Sequence, residues 1–72
     1  MRKINYEHLQ VDSSAIISMG YFREQRQLLV KFNNDNNYLY EGVPVGLFQK
    51  MRNCYSIGKF YNKYIKNNFK LG

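Results

Sequence analysis

The chain has 72 residues, with eleven Lys and Arg, five Asp and Glu, and a formal net charge of +6. This length allows one domain at most and excludes a large enclosed active site. Hydrophobic residues make up 44% of the chain, which excludes a disordered tail. No apolar run approaches the length of a membrane span, and the first residues lack the apolar segment of a signal peptide. The single cysteine, Cys54, cannot form an internal disulfide, so we expect a cytoplasmic protein.

Alternating apolar and polar residues predict three strands, which cover residues 15–22, 27–32 and 38–41. In the first strand the alternation places Ile17, Met19 and Tyr21 on one face. The asparagine-rich segment 33–37 has the composition of a turn, because Asn and Asp tolerate left-handed backbone and bond locally to it. Short connections of this kind predict an antiparallel meander.

Two helices are predicted after the strands. Pro44 suits the first turn of a helix that ends near Asn53, and Ser56 suits the N-cap of a second helix. The apolar side of this second helix has five members, Ile57, Phe60, Tyr61, Tyr64 and Ile65. The predicted fold is therefore α+β, a three-stranded antiparallel meander followed by two helices (β-β-β-α-α) packed on one sheet face. Residues 11–72 form this single domain, and residues 1–10 are an N-terminal extension.

The excess positive charge is confined to one part of the chain. Residues 1–42 carry five basic and five acidic groups, whereas residues 43–72 carry six basic groups and no acid. The six are Lys50, Arg52, Lys59, Lys63, Lys66 and Lys70. Helical spacing collapses the last four onto one stripe opposite the apolar side. Such a stripe is typical of a phosphate-binding surface or of a solvated helix face.

A series of short motifs resembles the KTSC domain. The series opens with residues 11–14 (VDSS), 17–21 (ISMGY) and 29–32 (LVKF). It continues through Tyr38-Leu39-Tyr40 and Val43-Pro44 to residues 56–65 (SIGKFYNKYI). The resemblance runs from about Val11 to Phe69, and it is the order of the pieces that is specific. The turn before Tyr38, where the family usually has glycine, is asparagine-rich here.

The resemblance implies a compact α+β module without an established activity. The family is named for a domain at the C-terminus of some lysyl-tRNA synthetases, and it also occurs as small stand-alone bacterial and phage proteins. RNA binding is suggested for it. An enzyme is not expected from the residues themselves, because His8, Cys54 and the Ser13-Ser14 pair have no partners at catalytic or metal-ligating spacing. No cofactor is expected.

Tyr38 and Tyr40 fall on one face of their strand. Two aligned rings on an exposed sheet face form a platform on which nucleic-acid bases stack. The alternative, which we favour, is that both rings pack in the core or at the sheet edge.

Ser56, Gly58 and Lys59 define a second candidate site. Free backbone N–H groups at a helix start, a glycine that admits close approach and a lysine together suit a bound phosphate. The alternative is a glycine that allows close packing of helix on sheet.

Two functions fit these patterns. The first is a non-enzymatic RNA- or nucleic-acid-binding module that uses the six basic residues, with Tyr38 and Tyr40 as stacking groups. The second is a protein–protein interaction module, such as a phage protein that binds or inhibits an acidic host protein. No membrane partner is expected, and the chain is expected to be a monomer or a homodimer.

Overall fold

The structure is a computed structural model that describes residues 6–11 and 15–72. Five strands form one antiparallel sheet: β1 (Tyr6–Gln10), β2 (Ile16–Phe22), β3 (Gln27–Phe32), β4 (Asn37–Glu41) and β5 (Lys70–Leu71). The helices are α1 (Val45–Arg52) and α2 (Ile57–Phe60), and α2 continues into a π-helical turn over Tyr61–Ile65, here named the π turn. The strands lie in chain order, so β5 returns to the edge at β4 after both helices.

The prediction of a three-stranded meander is wrong, because one further strand lies on each side of it. β1 lies in the predicted N-terminal extension and pairs along its whole length with β2, with Leu9 opposite Met19. Its residues are mostly polar, so its pairing with β2 and not its own hydrophobicity makes it a strand. β5 has only two residues, and the backbone N–H of Gly72 extends its pairing by donating to the carbonyl of Leu39 at 2.7 Å.

A β-bulge changes which side chains of β2 face the core. Ile16 pairs with Phe32, but the next partner of β3, Lys31, lies opposite Ser18, so β2 holds one extra residue. Ile16 and Tyr21 are buried, whereas Ile17 is 46% exposed. The prediction that Ile17 shares the face of Met19 and Tyr21 is therefore wrong, because simple alternation does not include the extra residue.

Both helices pack on the same sheet face, as the sequence predicts. The ring of Tyr21 stacks on that of Phe48 in α1, with centroids 4.6 Å apart and planes 10° apart. The Tyr21 hydroxyl also donates to the carbonyl of Val43 at 2.6 Å, which holds the segment leading into α1 against the sheet. The remaining buried apolar residues include Leu28, Val30, Met51 and Ile65. The opposite face of the sheet is not covered by either helix.

The predicted bounds of the first helix are confirmed, but the second helix ends earlier than its periodicity predicts. The backbone N–H of Lys66 donates to the carbonyl of Tyr61 at 2.9 Å, the five-residue spacing of a π turn. Asn67 then has a φ of 67°, and the Asn68 amide donates to the carbonyls of Lys63 and Tyr64. These contacts satisfy carbonyls at the helix end and turn the chain toward β5.

The π turn also explains why Tyr64 does not join the apolar side of the helix. A π turn holds more residues than an α-helical turn, so side chains after Tyr61 are displaced from their α-helical directions. Tyr61 and Ile65 remain buried, whereas Tyr64 is 43% exposed. Its ring lies beside that of Phe60, with centroids 4.5 Å apart.

A glycine in β2 allows a ring from β1 to cover the sheet. A methyl group at Gly20 would clash with the ring and hydroxyl of Tyr6, which also contacts Phe22 with ring centroids 4.9 Å apart. Gly20→Ala should therefore lower the free energy of unfolding by about 1 kcal/mol, because the Tyr6 ring must move. In a Tyr6→Ala background the same change should be neutral or stabilising, since alanine costs less than glycine in a strand by about 0.5–1 kcal/mol.

Urea unfolding of the four proteins in this cycle measures the coupling. Equal losses from Gly20→Ala in both backgrounds would show that contact with Tyr6 is not what selects glycine at this position.

Candidate nucleic-acid interface

The six basic residues predicted to bind nucleic acid do not form one stripe. Lys59 in α2, Lys63 in the π turn and Lys66 just past it are exposed, and they are here named the helical basic surface. Lys70 is separate from them, because it lies in β5 opposite Glu41 and on the sheet face away from the helices. The predicted helical stripe is therefore wrong for Lys70, since the helix ends before this residue.

The two basic residues of α1 differ in their surroundings. Lys50 is exposed. Arg52 Nη1 lies 3.2 Å from Glu7 Oε2, and the other oxygen of the same carboxylate lies 3.4 Å from Arg23 Nη2. Pairs this exposed contribute about 0–1 kcal/mol. Part of the charge of Arg52 is therefore already compensated by Glu7. This sets Arg52 apart from the exposed lysines, Lys50, Lys59, Lys63 and Lys66.

Ser56, Gly58 and Lys59 lie at the start of α2, as predicted. Ser56 has the extended backbone of an N-cap residue, but its side chain makes no capping hydrogen bond. Its carbonyl accepts a hydrogen bond from the backbone N–H of Phe60 at 3.1 Å. Because α2 proper has only four residues before the π turn, few aligned backbone N–H groups contribute to binding an anion there. The phosphate site remains a prediction.

Tyr38 and Tyr40 face the helices from neighbouring inward positions of β4. Tyr40 is only 5% exposed, and its hydroxyl lies 2.5 Å from the hydroxyl of Tyr61 in a buried hydrogen bond. Tyr38 is 39% exposed, and its ring meets that of Phe32 edge-on with centroids 5.2 Å apart. Tyr40 is therefore part of the core, whereas Tyr38 is at the edge of the core with part of its ring accessible.

A cleft of 340 Å³ lies between the β3–β4 turn and the π turn. Three aromatic rings, three carboxamides and one lysine surround it. Its lining consists of Ala15, Phe32, Asn34, Asn36, Tyr38, Tyr61, Asn62 and Lys66, and it is here named the asparagine cleft. Among the described residues, none that lines the cleft carries a carboxylate. The cleft thus combines apolar ring surface with hydrogen-bonding groups and one positive charge.

The β3–β4 turn is rigidly built at the mouth of the asparagine cleft. Asp35 has a φ of 69°, and the backbone N–H of Asn36 donates to Asn34 Oδ1 at 3.2 Å. The backbone N–H of Phe32 donates to the carbonyl of Asn36 at 2.9 Å, which closes the turn. The Asx bond is the local bonding expected of an asparagine-rich turn, and it places two carboxamides beside Tyr38.

Most residues of the asparagine cleft could not be found from the sequence, which pointed only to Tyr38 and Lys66. The rest come from three separate segments that the fold brings together. The one available signal is the run of asparagines at 33–37, which predicts a turn without indicating what the turn faces.

Burial raises the pKa of two tyrosine hydroxyls in the core. The pKa of Tyr61 is raised well above its usual range, first by burial and then by its hydrogen bond with Tyr40. Burial also raises the pKa of Tyr21, against the lowering effect of Arg26 and Arg23. Tyrosine is neutral near pH 7 in any case, and the raised pKa values extend the neutral form of both side chains to higher pH.

Two of the residues considered for catalysis, His8 and Cys54, lie in separate elements of the structure. His8 is exposed on β1, and the half-buried thiol of Cys54 lies 3.5 Å from the carbonyl of Ser56. Ser13 and Ser14 lie outside the described residues. Within residues 6–11 and 15–72, no three His, Cys, Asp or Glu side chains come together as a metal site would require. In the same part of the chain, no helix has both the length and the apolar character needed to cross a membrane.

One sheet with a single helical layer defines a small two-layer α+β module. Residues 12–69 match the family model of the KTSC domain. The fold is similar to the crystal structure of a KTSC domain protein from Yersinia pestis, with a TM-score of 0.85 and 32% identity over 94% of this chain and 96% of that one. The chain belongs to the KTSC domain family.

Sequence relatives include both small proteins and one part of a large enzyme. An uncharacterized protein of Stutzerimonas stutzeri is 33% identical over 60 residues, which are 83% of this chain and 84% of the relative. A protein of Tsukamurella paurometabola is 35% identical over 83% of this chain and 90% of its own length. A lysine–tRNA ligase of Nostoc punctiforme is 30% identical over 93% of this chain, which spans only 12% of that enzyme.

The Tyr40–Tyr61 hydrogen bond should show strong coupling between its two hydroxyls. Tyr61→Phe leaves the hydroxyl of Tyr40 buried without its partner, so it should lower the free energy of unfolding by about 1–2 kcal/mol. The double variant Tyr40→Phe/Tyr61→Phe should lose less than the sum of the single variants, because it leaves no orphaned hydroxyl. Urea unfolding measures all three, and strictly additive losses would contradict this account.

The raised pKa of Tyr61 predicts how stability depends on pH. An unfolded tyrosine ionises near pH 10, whereas folded Tyr61 stays neutral to higher pH. Its contribution is therefore complete below about pH 10 and decreases as the pH rises above that value toward the folded pKa. Tyr61→Phe should show a shallower loss of stability above pH 10 than the unmodified chain, with Tyr21 contributing equally to both. Urea midpoints at increasing pH test this, and parallel curves would exclude it.

Proposed function

We propose that this KTSC domain is a non-enzymatic module that binds RNA. The observation that carries the proposal is the position of the asparagine cleft at the end of the helical basic surface, with Lys66 belonging to both. Proteins bind single-stranded nucleic acids by placing basic side chains on the phosphates and stacking aromatic rings on the bases. The cleft residues within positions 6–11 and 15–72 include no carboxylate that would oppose a phosphate.

The distribution of charge supports the same proposal. The acidic residues all lie before position 43, whereas Lys59, Lys63 and Lys66 lie along one helix with no acid in residues 43–72. Lysines three or four residues apart repel each other slightly without acidic neighbours. A bound phosphate backbone removes this cost and releases counterions, so affinity should decrease steeply with salt.

The lysine–tRNA ligase of Nostoc punctiforme supports RNA as the nucleic acid. That protein acts on tRNA by its name, and its matching segment is 30% identical to this chain. We infer that the shared module contributes contacts to RNA, largely through phosphates and without strong sequence preference.

Lys63→Ala tests the proposal by changing one charge of the helical basic surface. It should weaken binding to RNA at low salt, and the slope of log affinity against log salt should decrease by about 0.7–1. Lys31→Ala is the matched control, because Lys31 is exposed in β3 on the sheet face away from the helices. It should change neither quantity.

Fluorescence anisotropy with labelled single-stranded RNA gives both values. No measurable affinity at about 50 mM salt would overturn the proposal, because phosphate contacts are strongest there. Capture of a protein partner that persists after nuclease treatment, without RNA binding, would favour the protein-interaction module instead.

A further inference from the structure

We infer that the asparagine cleft receives one unstacked nucleotide of a single-stranded nucleic acid, with its base among the rings and its phosphate near Lys66. The inference rests on the proposed function and names the chemical group that this part of the surface selects. It differs from phosphate binding along the helix, because a base enters the cleft only when it is not stacked or paired in a duplex.

The size and walls of the cleft suit a base. Its 340 Å³ lies at the lower end of the range of small-ligand sites, about 300–1,000 Å³. Phe32 meets the rings of both Tyr38 and Tyr61 edge-on, with centroids 5.2 and 5.8 Å away. Because these contacts hold Tyr38 in place, its accessible surface is available for stacking without first being ordered.

The Tyr40–Tyr61 hydrogen bond adds to this preorganisation. It holds the Tyr61 side chain from the core side, so the ring that forms this wall of the cleft is kept in position for an entering base. Tyr61 is therefore held by a contact outside the cleft as well as by the ring of Phe32 within it.

The carboxamides supply groups that suit the edges of a base. The side chains of Asn36 and Asn62 make no hydrogen bond within the described part of the chain, although both line the cleft. Each presents an NH₂ donor and a carbonyl acceptor, the two kinds of group found along the edges of every base. Asn34 Oδ1 already accepts from the backbone of Asn36, so its remaining NH₂ group is the available part.

The charge of the lining favours a nucleotide over a neutral ring compound. Lys66 is the one cation among the lining residues that the structure describes, and it is exposed just past the π turn. Asp35 lies at the turn but does not line the cleft. A phosphate beside Lys66 would continue the line of phosphates on Lys59 and Lys63, so a strand could follow the helix and place its last contacted base in the cleft.

Substitutions at Tyr38 test the inference. Tyr38→Leu keeps apolar volume beside Phe32 but removes the aromatic face, and it should weaken binding of a short oligouridylate by about fivefold or more. Tyr38→Phe keeps the face and should stay within about twofold of the unmodified chain. Binding of an RNA duplex with the same number of phosphates should change by less than about twofold in both variants, because its bases are stacked and paired.

Tyr55→Leu is the matched control. Tyr55 is fully exposed and lies before α2, at the opposite end of the helix from Lys66. This variant should bind oligouridylate like the unmodified chain. Equal weakening by Tyr38→Leu and Tyr55→Leu, or equal effects of Tyr38→Leu on single strand and duplex, would overturn the inference.

Nuclear magnetic resonance with uridine 5′-monophosphate provides a second measurement. The side-chain NH₂ signals of Asn36 and Asn62 should shift on titration, whereas the NH₂ signals of Gln25, in the turn after β2, should not. Shifts confined to residues around Lys59 and Lys63 would overturn the inference and leave RNA binding by the helical basic surface intact. If the proposed function itself is wrong, neither the oligouridylate nor the RNA duplex should bind. That outcome is distinct from the two results that would overturn the inference about the cleft.

Discussion

The buried hydrogen bond between Tyr40 and Tyr61 joins the two layers of this small protein at the point where the helix changes form. Tyr61 begins the π turn, and its carbonyl accepts the five-residue hydrogen bond from Lys66. Its ring also contacts Phe32 and lines the asparagine cleft. One residue thus links the sheet, the helix end and the cleft. The position of Lys66 beside the cleft depends on this arrangement, because an unbroken α-helix would direct it elsewhere.

The neutral and basic halves of the sequence are only partly separated in the folded structure. Glu7 in β1 lies beside Arg52 of α1, so an acidic residue of the neutral half compensates a basic residue of the other. Lys70 lies with Glu41 at the sheet edge. Lys50 is exposed on α1, whereas Lys59, Lys63 and Lys66 form the shorter helical basic surface that adjoins the asparagine cleft. The surface available to an anion is therefore smaller than the net charge suggests, and it is concentrated in one part of the molecule.

The sequence predicts those elements whose own residues determine them. Leu28, Val30 and Phe32 alternate cleanly, and Phe48 and Met51 mark the buried side of α1, so these elements are predicted correctly. β1 and β5 are strands because they pair with β2 and β4, and the hydrophobic periodicity of the sequence does not reveal such pairing. The bulge after Ile16 and the π turn each shift the phase of a regular pattern by a residue. The cleft could not be predicted, because its residues meet only through these irregular features.

The order of the strands in the sheet sets how the chain closes on itself. Three of the four pairings join strands that follow one another directly, so each closes a short loop at a small entropic cost. The fourth, between Tyr40 and Leu71, spans both helices and unites only two residues of β5. Most of the sheet is thus built from hairpins between consecutive strands. The final strand is short, and its pairing closes the longest connection in the sheet, because both helices lie between β4 and β5.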